Sequence, residues 1–358
     1  GNRLRTRIPT LATVFRDRGY RTGAVVGSFV LRREVGLARG FEVYDDTLDS
    51  EERVRSKPER VGDDTTEAAL GLLRRFAETP ERGRFVWIHY QDPHGPYTPP
   101  PGFREAELSR ERQSEDGDRR LARGEGEKGL GEIPHYQYLE PRDVAWYRAG
   151  YAGEIRFLDQ QVGRLLETIE AESLLDDPII VFTSDHGEAM GERDYWFAHG
   201  EYLIDSQVRV PLLIRAPGLA PGRRPDAASL LDVLPTLRRL VGAAKDTKLT
   251  GRDLVDPAEA PIVLNTFQAS TRPGTGLVLG DHKYVRSVAE GQLREELFAL
   301  GEDGSERVRD EPDRIDSLRE RLLELRGGEP FPEAPAAPAP SDLSDDERES
   351  LRALGYVL

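Results

Sequence analysis

Residues 178–217 constrain the fold more than any other part of this 358-residue chain. They open with a short run at 179–182 that is apolar on both faces and rich in β-branched side chains. Such a run predicts a buried strand of a parallel sheet. Asp185 and His186 follow at its carboxyl end, and a second apolar run comes at 210–214. Ligands of open α/β sheets bind beside the carboxyl ends of strands, so this stretch predicts a functional site.

Asp185 and His186 have the chemistry of a cation site. Together they supply a carboxylate oxygen and an imidazole nitrogen, both of which bind divalent cations. An aspartate after a strand can instead be a helix N-cap, and a single histidine is often only structural. A further histidine followed by glycine, His199-Gly200, lies a little further along the chain and favours the functional interpretation.

A second candidate, His94, lies in the loop after a predicted strand at 85–89. Pro93 and Pro96 stand on either side of it, and their fixed φ angles reduce the entropy lost in holding the imidazole in place. A proline-rich turn with an incidental histidine is the alternative. Because this loop also leaves the carboxyl end of a strand, we interpret His94 as a site residue.

The remaining pattern alternates helices with strands, which predicts an α/β fold. We predict helices at 10–19, 65–76 and 230–241 and a strand at 22–27. The clearest helix has an apolar stripe that would pack on the sheet. Its members are Ile155, Leu158, Val162, Leu165 and Ile169.

Two further regions differ in character from this core. Residues 104–132 are rich in Arg, Glu and Gly, which predicts an exposed insertion without a core of its own. Past residue 260, short strands and a final helix predict a small antiparallel α+β subdomain. We therefore expect an α/β domain at 1–258, this subdomain at 259–328, and a Pro/Ala linker with a helical tail at 329–358.

Composition excludes several classes of function. The net charge of −15 argues against a nucleic-acid partner, although it leaves room for a local basic pocket. The chain has no cysteine, so it has neither disulfides nor thiolate metal ligands. No apolar run reaches the roughly 18 residues that a membrane helix needs.

A series of motifs in order resembles the sulfatase family of the alkaline-phosphatase-like superfamily. The resemblance runs from Pro9 to Tyr356. It is carried by residues 9–11 with 18–22, then 40–45, 89–97, 151–155, 183–188, 232–236, 251–254 and 283–284. It implies an α/β/α sandwich with a mostly parallel sheet and a smaller antiparallel C-terminal subdomain.

The resemblance also implies an activity and roles for individual residues. It implies a hydrolase of small-molecule or glycan sulfate esters that uses one divalent cation, calcium first, with Mg²⁺, Mn²⁺ or Zn²⁺ as alternatives. Asp185 and His186 match metal ligands, while His94 and His199 match catalytic contacts to the sulfate group and to the substrate or leaving group. Arg193 stands where relatives often carry histidine, and we expect it to influence substrate choice.

The nucleophile is expected elsewhere. In the family it is a formylglycine, made from Cys or Ser within Cys/Ser-x-Pro-x-Arg, and it lies with an early Asp-Asp metal pair in a segment expected upstream of Gly1. We therefore expect this chain to hold about half of the metal site and to be inactive alone, the parent protein being the enzyme. A periplasmic or exported parent would fit relatives of this kind.

Two other functions stay open. One is a two-metal phosphodiesterase or phosphomonoesterase of the same superfamily, with a Ser or Thr nucleophile. The other is a non-catalytic, sulfatase-like binding module. The sequence does not identify the sulfated substrate or the oligomeric state.

Overall fold

The computed structural model describes residues 9–51, 57–125, 128–140, 142–246, 249–255, 260–266, 273–289, 292–301 and 305–328. These residues form two compact units. The first unit comprises the described residues up to Asp176 together with Met190–Ala198. The second unit comprises Asp177–Ala189 and the described residues from His199 onwards.

Helices and strands alternate through most of the chain. The helices are α1 (Leu11–Arg16), α2 (Gly62–Ala77), α3 (Phe103–Glu111), α4 (Val144–Ala171), α5 (Asp205–Val208), α6 (Val233–Leu240) and α7 (Pro312–Leu325). The strands are β1 (Arg21–Val26), β2 (Val43–Asp45), β3 (Ser50–Glu51), β4 (Pro58–Glu59), β5 (Arg84–His89), β6 (Ile180–Thr183), β7 (Ala189–Met190), β8 (Trp196–Ala198), β9 (Leu212–Arg215), β10 (Ile262–Asn265), β11 (Gly274–Leu279), β12 (His282–Ala289), β13 (Gln292–Leu300) and β14 (Glu306–Arg309).

A parallel sheet in the order β2-β1-β5 forms the centre of the first unit. Helix α2 covers it with the predicted apolar face, in which Ala69 and Phe76 are fully buried. Gly23 of β1 permits this approach, since a Cβ there would lie 2.7 Å from Leu72 Cδ2. The predicted helix and strands of this region are confirmed.

Helix α4 buries only part of the predicted stripe. Ile155 is 44% exposed, whereas the buried face runs through Gly150, Glu154, Phe157 and Leu165. The predicted stripe is confirmed at Leu165 and Ile169, which pack on the apolar core of the first unit, and is wrong at Ile155. Around Ile155 the buried face is built by glycines and a polar side chain instead. They let α3 pack closely, and a Cβ at Gly153 would lie 3.0 Å from the backbone nitrogen of Arg104.

More than half of the described residues of the predicted insertion at 104–132 are exposed, as expected, but the insertion is packed against the rest of the first unit. Helix α3 packs on α4, with the Phe103 and Phe157 rings 5.6 Å apart, edge to face. Leu121 and Ile133 are buried in an apolar cluster with aromatic side chains from other segments. Few apolar residues suffice here because their partners come from elsewhere in the first unit.

The second unit contains the strand that we expected to be buried in a parallel sheet. Within the described residues, β6 pairs with β9 alone and the pairing is antiparallel. Phe182 is 37% exposed, so burial on both faces is not seen there. The expectation followed from composition, which does not specify the direction of the neighbouring strand.

An antiparallel sheet in the order β10-β11-β12-β13-β14 forms the remainder of the second unit. Helix α7 packs Leu318 and Leu322 against Leu277, Tyr284 and Leu297 of this sheet. The predicted antiparallel α+β subdomain is confirmed. The domain boundaries at 258/259 and 328/329 stay predictions, and the linker and tail at 329–358 lie outside the described residues.

A search of the described helices for an apolar stretch long enough to span a bilayer finds none.

Candidate active site

The loop after β6 brings Asp185 and His186 together. Asp185 Oδ2 lies 3.6 Å from His186 Nε2, and Asp185 Oδ1 accepts a hydrogen bond of 2.9 Å from the His186 backbone N–H. The Ser184 hydroxyl donates to the His186 carbonyl at 2.7 Å. The Asp185 side chain is 77% exposed, so its carboxylate is accessible to an ion.

The tautomer of His186 follows from its hydrogen bond. His186 Nδ1 lies 3.0 Å from the Gly187 carbonyl oxygen, which can only accept. Nδ1 therefore carries the proton, and Nε2 carries the lone pair on the side of Asp185. Two ligands bound to one cation at about 2.3 Å and near a right angle are roughly 3.3 Å apart, close to the observed separation.

Asp185 and His186 supply one oxygen donor and one nitrogen donor, both of kinds that bind divalent cations. Across the residues that the structure describes, no set of three His, Cys, Asp or Glu side chains is arranged to hold a metal ion. The oxygen and nitrogen donors of Asp185 and His186 fit a divalent cation in chemical type, but two donors are fewer than such a cation binds.

His199 lies beside this pair. Its ring stacks on that of His186, with the centroids 3.9 Å apart and the planes inclined by 27°. His199 Nδ1 lies 3.1 Å from Glu188 Oε1, and the Glu188 side chain is 5% exposed. The sequence analysis assigned no role to Glu188, although its place two residues after His186 was a signal. The structure thus brings Asp185, His186 and His199 together.

A short helix, α5, holds the backbone next to both histidines. The Gln207 carbonyl accepts from the Gly187 N–H at 2.8 Å, and Gln207 Oε1 accepts from the Gly200 N–H at 2.8 Å. Gly187 has no space for a side chain, because a Cβ there would lie 2.1 Å from the Ser206 carbonyl oxygen. Sequence analysis missed Gln207, which no motif marks.

His94 lies in the first unit, in the loop after β5. Its Nδ1 is 2.8 Å from the Gly95 carbonyl oxygen, so Nδ1 again carries the proton. The Asp92–Pro93 and Gly95–Pro96 peptide bonds on either side are cis. Gln137 packs directly against Gly95, where a Cβ would lie 1.9 Å from Gln137 Nε2. The same amide donates to the Phe197 carbonyl at 3.1 Å.

Two buried carboxyl groups support the His94 loop. Burial, together with the charge of Asp63, raises the pKa of Asp92 to about 6. Burial likewise raises the pKa of Glu154 well above its ordinary value. Glu154 is 3% exposed, and its Oε1 accepts from the Thr98 N–H at 2.5 Å. Neither group was identified from the sequence.

Arg193 also belongs to the first unit, where it lies in a tight turn. Arg193 and Asp194 both have φ of 58°, a left-handed conformation that is uncommon outside glycine. The Gly131 N–H donates to the Asp194 carbonyl at 2.7 Å, and Trp196 Nε1 donates to Asp194 Oδ1 at 2.8 Å. The residues of the predicted insertion thus help to fix this turn.

One run within the chain has the letters of the family's nucleophile motif. Residues 56–60 read Ser-Lys-Pro-Glu-Arg, which the sequence analysis overlooked. Ser56 lies outside the described residues. Arg60 is 5% exposed, its Nη2 donates to Asp45 Oδ1 at 2.6 Å, and its N–H donates to the Gly27 carbonyl after β1. Because this motif also occurs within the chain, the motif by itself does not place the nucleophile in an upstream segment.

Part of the chain is similar in sequence to a known enzyme. A choline-sulfatase of Rhizobium meliloti (strain 1021) is 35% identical over 165 residues, which cover 44% of this chain and 31% of that protein. The chain thus spans about a third of the length of this relative.

Solved structures show the same fold. One, described as bound to its substrate D-glucosamine-2-N,6-O-disulfate, superposes with a TM-score of 0.66 at 15% identity, covering 91% of this chain and 83% of the other. A phosphonate monoester hydrolase from Silicibacter pomeroyi gives a TM-score of 0.65 at 21% identity, covering 91% and 81%. The fold is therefore alkaline-phosphatase-like. The sequence profile of sulfatases matches residues 2–243, and the chain belongs to the sulfatase family.

Proposed function

We propose that this chain provides cation ligands and substrate contacts of a hydrolase that cleaves sulfate esters of small molecules or glycans. The observation that carries the proposal is the grouping of Asp185, His186 and His199, with Asp185 Oδ2 and His186 Nε2 3.6 Å apart. Family membership and the sulfatase relatives support it.

The cation has a definite task in this chemistry. Cleaving a sulfate ester increases negative charge on the ester oxygens, and a bound divalent cation supplies positive charge beside them. Asp185 and His186 would hold it, Asp185 through a carboxylate oxygen and His186 through Nε2, since His186 Nδ1–H is engaged by the Gly187 carbonyl. We propose calcium, with Mg²⁺, Mn²⁺ and Zn²⁺ as alternatives, since a mixed oxygen and nitrogen set accepts each of them.

The other residues contact the substrate. His94 donates its Nδ1–H to the Gly95 carbonyl, and His199 donates its Nδ1–H to Glu188. In both residues Nε2 is therefore the nitrogen directed to substrate. His94 contacts the sulfate group, and His199 contacts the substrate or leaving group. Arg193 influences which substrates bind, through an exposed, charged side chain whose backbone lies in a tight turn.

The nucleophile is a formylglycine outside these 358 residues, and this chain alone is inactive. The test is hydrolysis of an aryl sulfate by the purified chain and by its Ser56→Ala variant. No turnover by either protein is expected. Turnover that disappears in the variant would make Ser56 the nucleophile, and turnover that persists would contradict the proposal altogether.

A phosphorus ester is the second candidate substrate, favoured by the likeness to a phosphonate monoester hydrolase. The parent protein should be assayed against an aryl sulfate, an aryl phosphate and an aryl phosphonate monoester under the same conditions. The highest kcat/KM on the sulfate is expected. A preference for either phosphorus ester would replace the proposal, and cation binding with no hydrolysis would favour a binding module.

A further inference from the structure

Gln207 touches the backbone beside both histidines of the second unit. It is 3% exposed and lies in α5. Its backbone carbonyl accepts from the Gly187 N–H and its side-chain Oε1 accepts from the Gly200 N–H, each at 2.8 Å. One residue therefore fixes the chain directly after His186 and directly after His199.

These contacts bear on the orientation of the imidazole rings. The Gly187 carbonyl accepts from His186 Nδ1 at 3.0 Å, so the position of Gly187 sets the direction of His186 Nε2. Gly200 follows His199, whose ring stacks on His186 at 3.9 Å. Groups that orient metal-binding and catalytic side chains must hold them to within about half an ångström.

Helix α5 is itself anchored by the C-terminal antiparallel sheet. Lys283 of β12 is fully buried, and its Nζ donates to Asp205 Oδ1 at 2.7 Å. Glu306 of β14 forms a second ion pair with the same ammonium group. A buried charged network is costly to desolvate, and a fixed geometry is one benefit that such a network provides.

We propose that Gln207 is a positioning residue that sets the relative geometry of His186 and His199, with Lys283 anchoring it through Asp205. The C-terminal sheet is then part of the support of the active site. The catalytic meaning of this arrangement rests on the proposed function, whereas the positioning itself does not.

The test compares two substitutions of Gln207 in the complete chain. Gln207→Met keeps the size but removes the acceptor for Gly200, and Gln207→Glu keeps an acceptor oxygen. Gln113→Met, at an exposed position of the first unit, is the matched control. The measurements are the ring proton signals of His186 and His199 by NMR and the affinity for Mn²⁺ as a probe ion.

Gln207→Met keeps the backbone contact to Gly187 but loses the contact to Gly200, so it is expected to move the His199 ring signals and, through the stacking of His199 on His186, the His186 signals. Mn²⁺ binding is expected to weaken about tenfold, the lower end for loss of a supporting contact. Gln207→Glu is expected to keep the ring signals near those of the unaltered chain, and the control is expected to change nothing. Ring signals that are identical in Gln207→Met and in the unaltered chain would overturn the proposal.

Hydrogen exchange of the unaltered chain keeps the proposal testable if Gln207→Met does not fold. The Gly187 and Gly200 amides are expected to exchange more slowly than amides of exposed loops, and equally fast exchange would overturn the positioning role. An unaltered chain that binds no divalent ion would count against the proposed function. Ring signals and exchange rates would still decide the role of Gln207.

Discussion

The His94 loop and the His186 loop orient their histidine rings in the same way but are held by different contacts. Each follows a strand, and each histidine donates its Nδ1–H to the carbonyl of the next glycine, at 2.8 Å and 3.0 Å. The His94 loop is supported by buried carboxyl groups and by the Gln137 amide. The His186 loop is supported by backbone hydrogen bonds to α5, which Lys283 anchors.

Ring orientation and loop stability have different origins in these two loops. The His-Gly pair alone fixes which nitrogen carries the proton, and this is alike in both loops. The surroundings set the response to solution conditions. Carboxyl groups with raised pKa make the His94 loop sensitive to pH, whereas paired charges make the His186 loop sensitive to loss of a partner.

Loss of Lys283 is expected to have the largest effect. Lys283→Met leaves Asp205 and Glu306 without their buried cation, so the free energy of unfolding should fall by about 3–5 kcal/mol. Denaturant unfolding measures this. Lys245→Met, at an exposed position, is the control and should change stability by less than ~0.5 kcal/mol. Equal effects of the two substitutions would show that the ion pairs of Lys283 do not anchor α5.

Substitution of Asp92 tests the pH sensitivity of the His94 loop. Folding raises the pKa of Asp92 from 3.8 to about 6. Protonated Asp92 therefore contributes to the free energy of unfolding, and this contribution is fully present below pH 3.8. That contribution, about 3 kcal/mol in all, is lost as the pH rises through about 6. Asp92→Asn should therefore be more stable than the unaltered chain at pH 8, with a flatter pH dependence.

Unfolding curves at several pH values between 4 and 8 measure this difference. The exposed Asp64→Asn substitution serves as the control and should leave the pH dependence unchanged. A gain in stability of the unaltered chain as the pH rises through this range would contradict the destabilising role of ionised Asp92.

Removal of a predicted metal ligand should weaken cation binding without weakening the fold. Asp185 is exposed, and Asp185→Asn replaces a charged oxygen donor with a neutral one. Affinity for Mn²⁺, measured by calorimetry, should fall at least tenfold, or about 1.4 kcal/mol. Asp177→Asn, at an exposed position just before β6, should leave it unchanged. Unchanged binding in both variants would place the cation elsewhere.

Gln137 should show the smallest effect of the series. Gln137→Met removes the donor to the Phe197 carbonyl, which should cost about 1 kcal/mol of stability. The His94 ring signal should also move, because Gln137 packs on Gly95. NMR and thermal unfolding measure both effects, with the exposed Gln113→Met as control. An unmoved His94 signal would show that Gln137 stabilises the fold but does not orient the His94 ring.

The sequence predicted those features that depend on short patterns. Asp185, His186 and His94 were identified because apolar runs reveal where strands end. The antiparallel subdomain was identified from closely spaced strands. The fold class also followed from the order of motifs, which carries more information than any one of them.

The features that sequence analysis missed depend on contacts between distant segments. Gln207 acts partly through its backbone carbonyl, which every residue type possesses. Ile155 was assigned to the wrong face of α4 because the packing face of that part of the helix contains glycines and Glu154, which do not register as apolar. Residues 104–132 form a core only with aromatic partners from other segments, such as Trp196.

The crowding around Gly187 has a consequence for how such a site can diversify. Every other L-amino acid carries the Cβ that would meet the Ser206 carbonyl oxygen at 2.1 Å. A library that randomises this loop to change metal or substrate preference would therefore lose nearly all members altered at 187. Productive variation is to be sought at exposed positions such as Arg193.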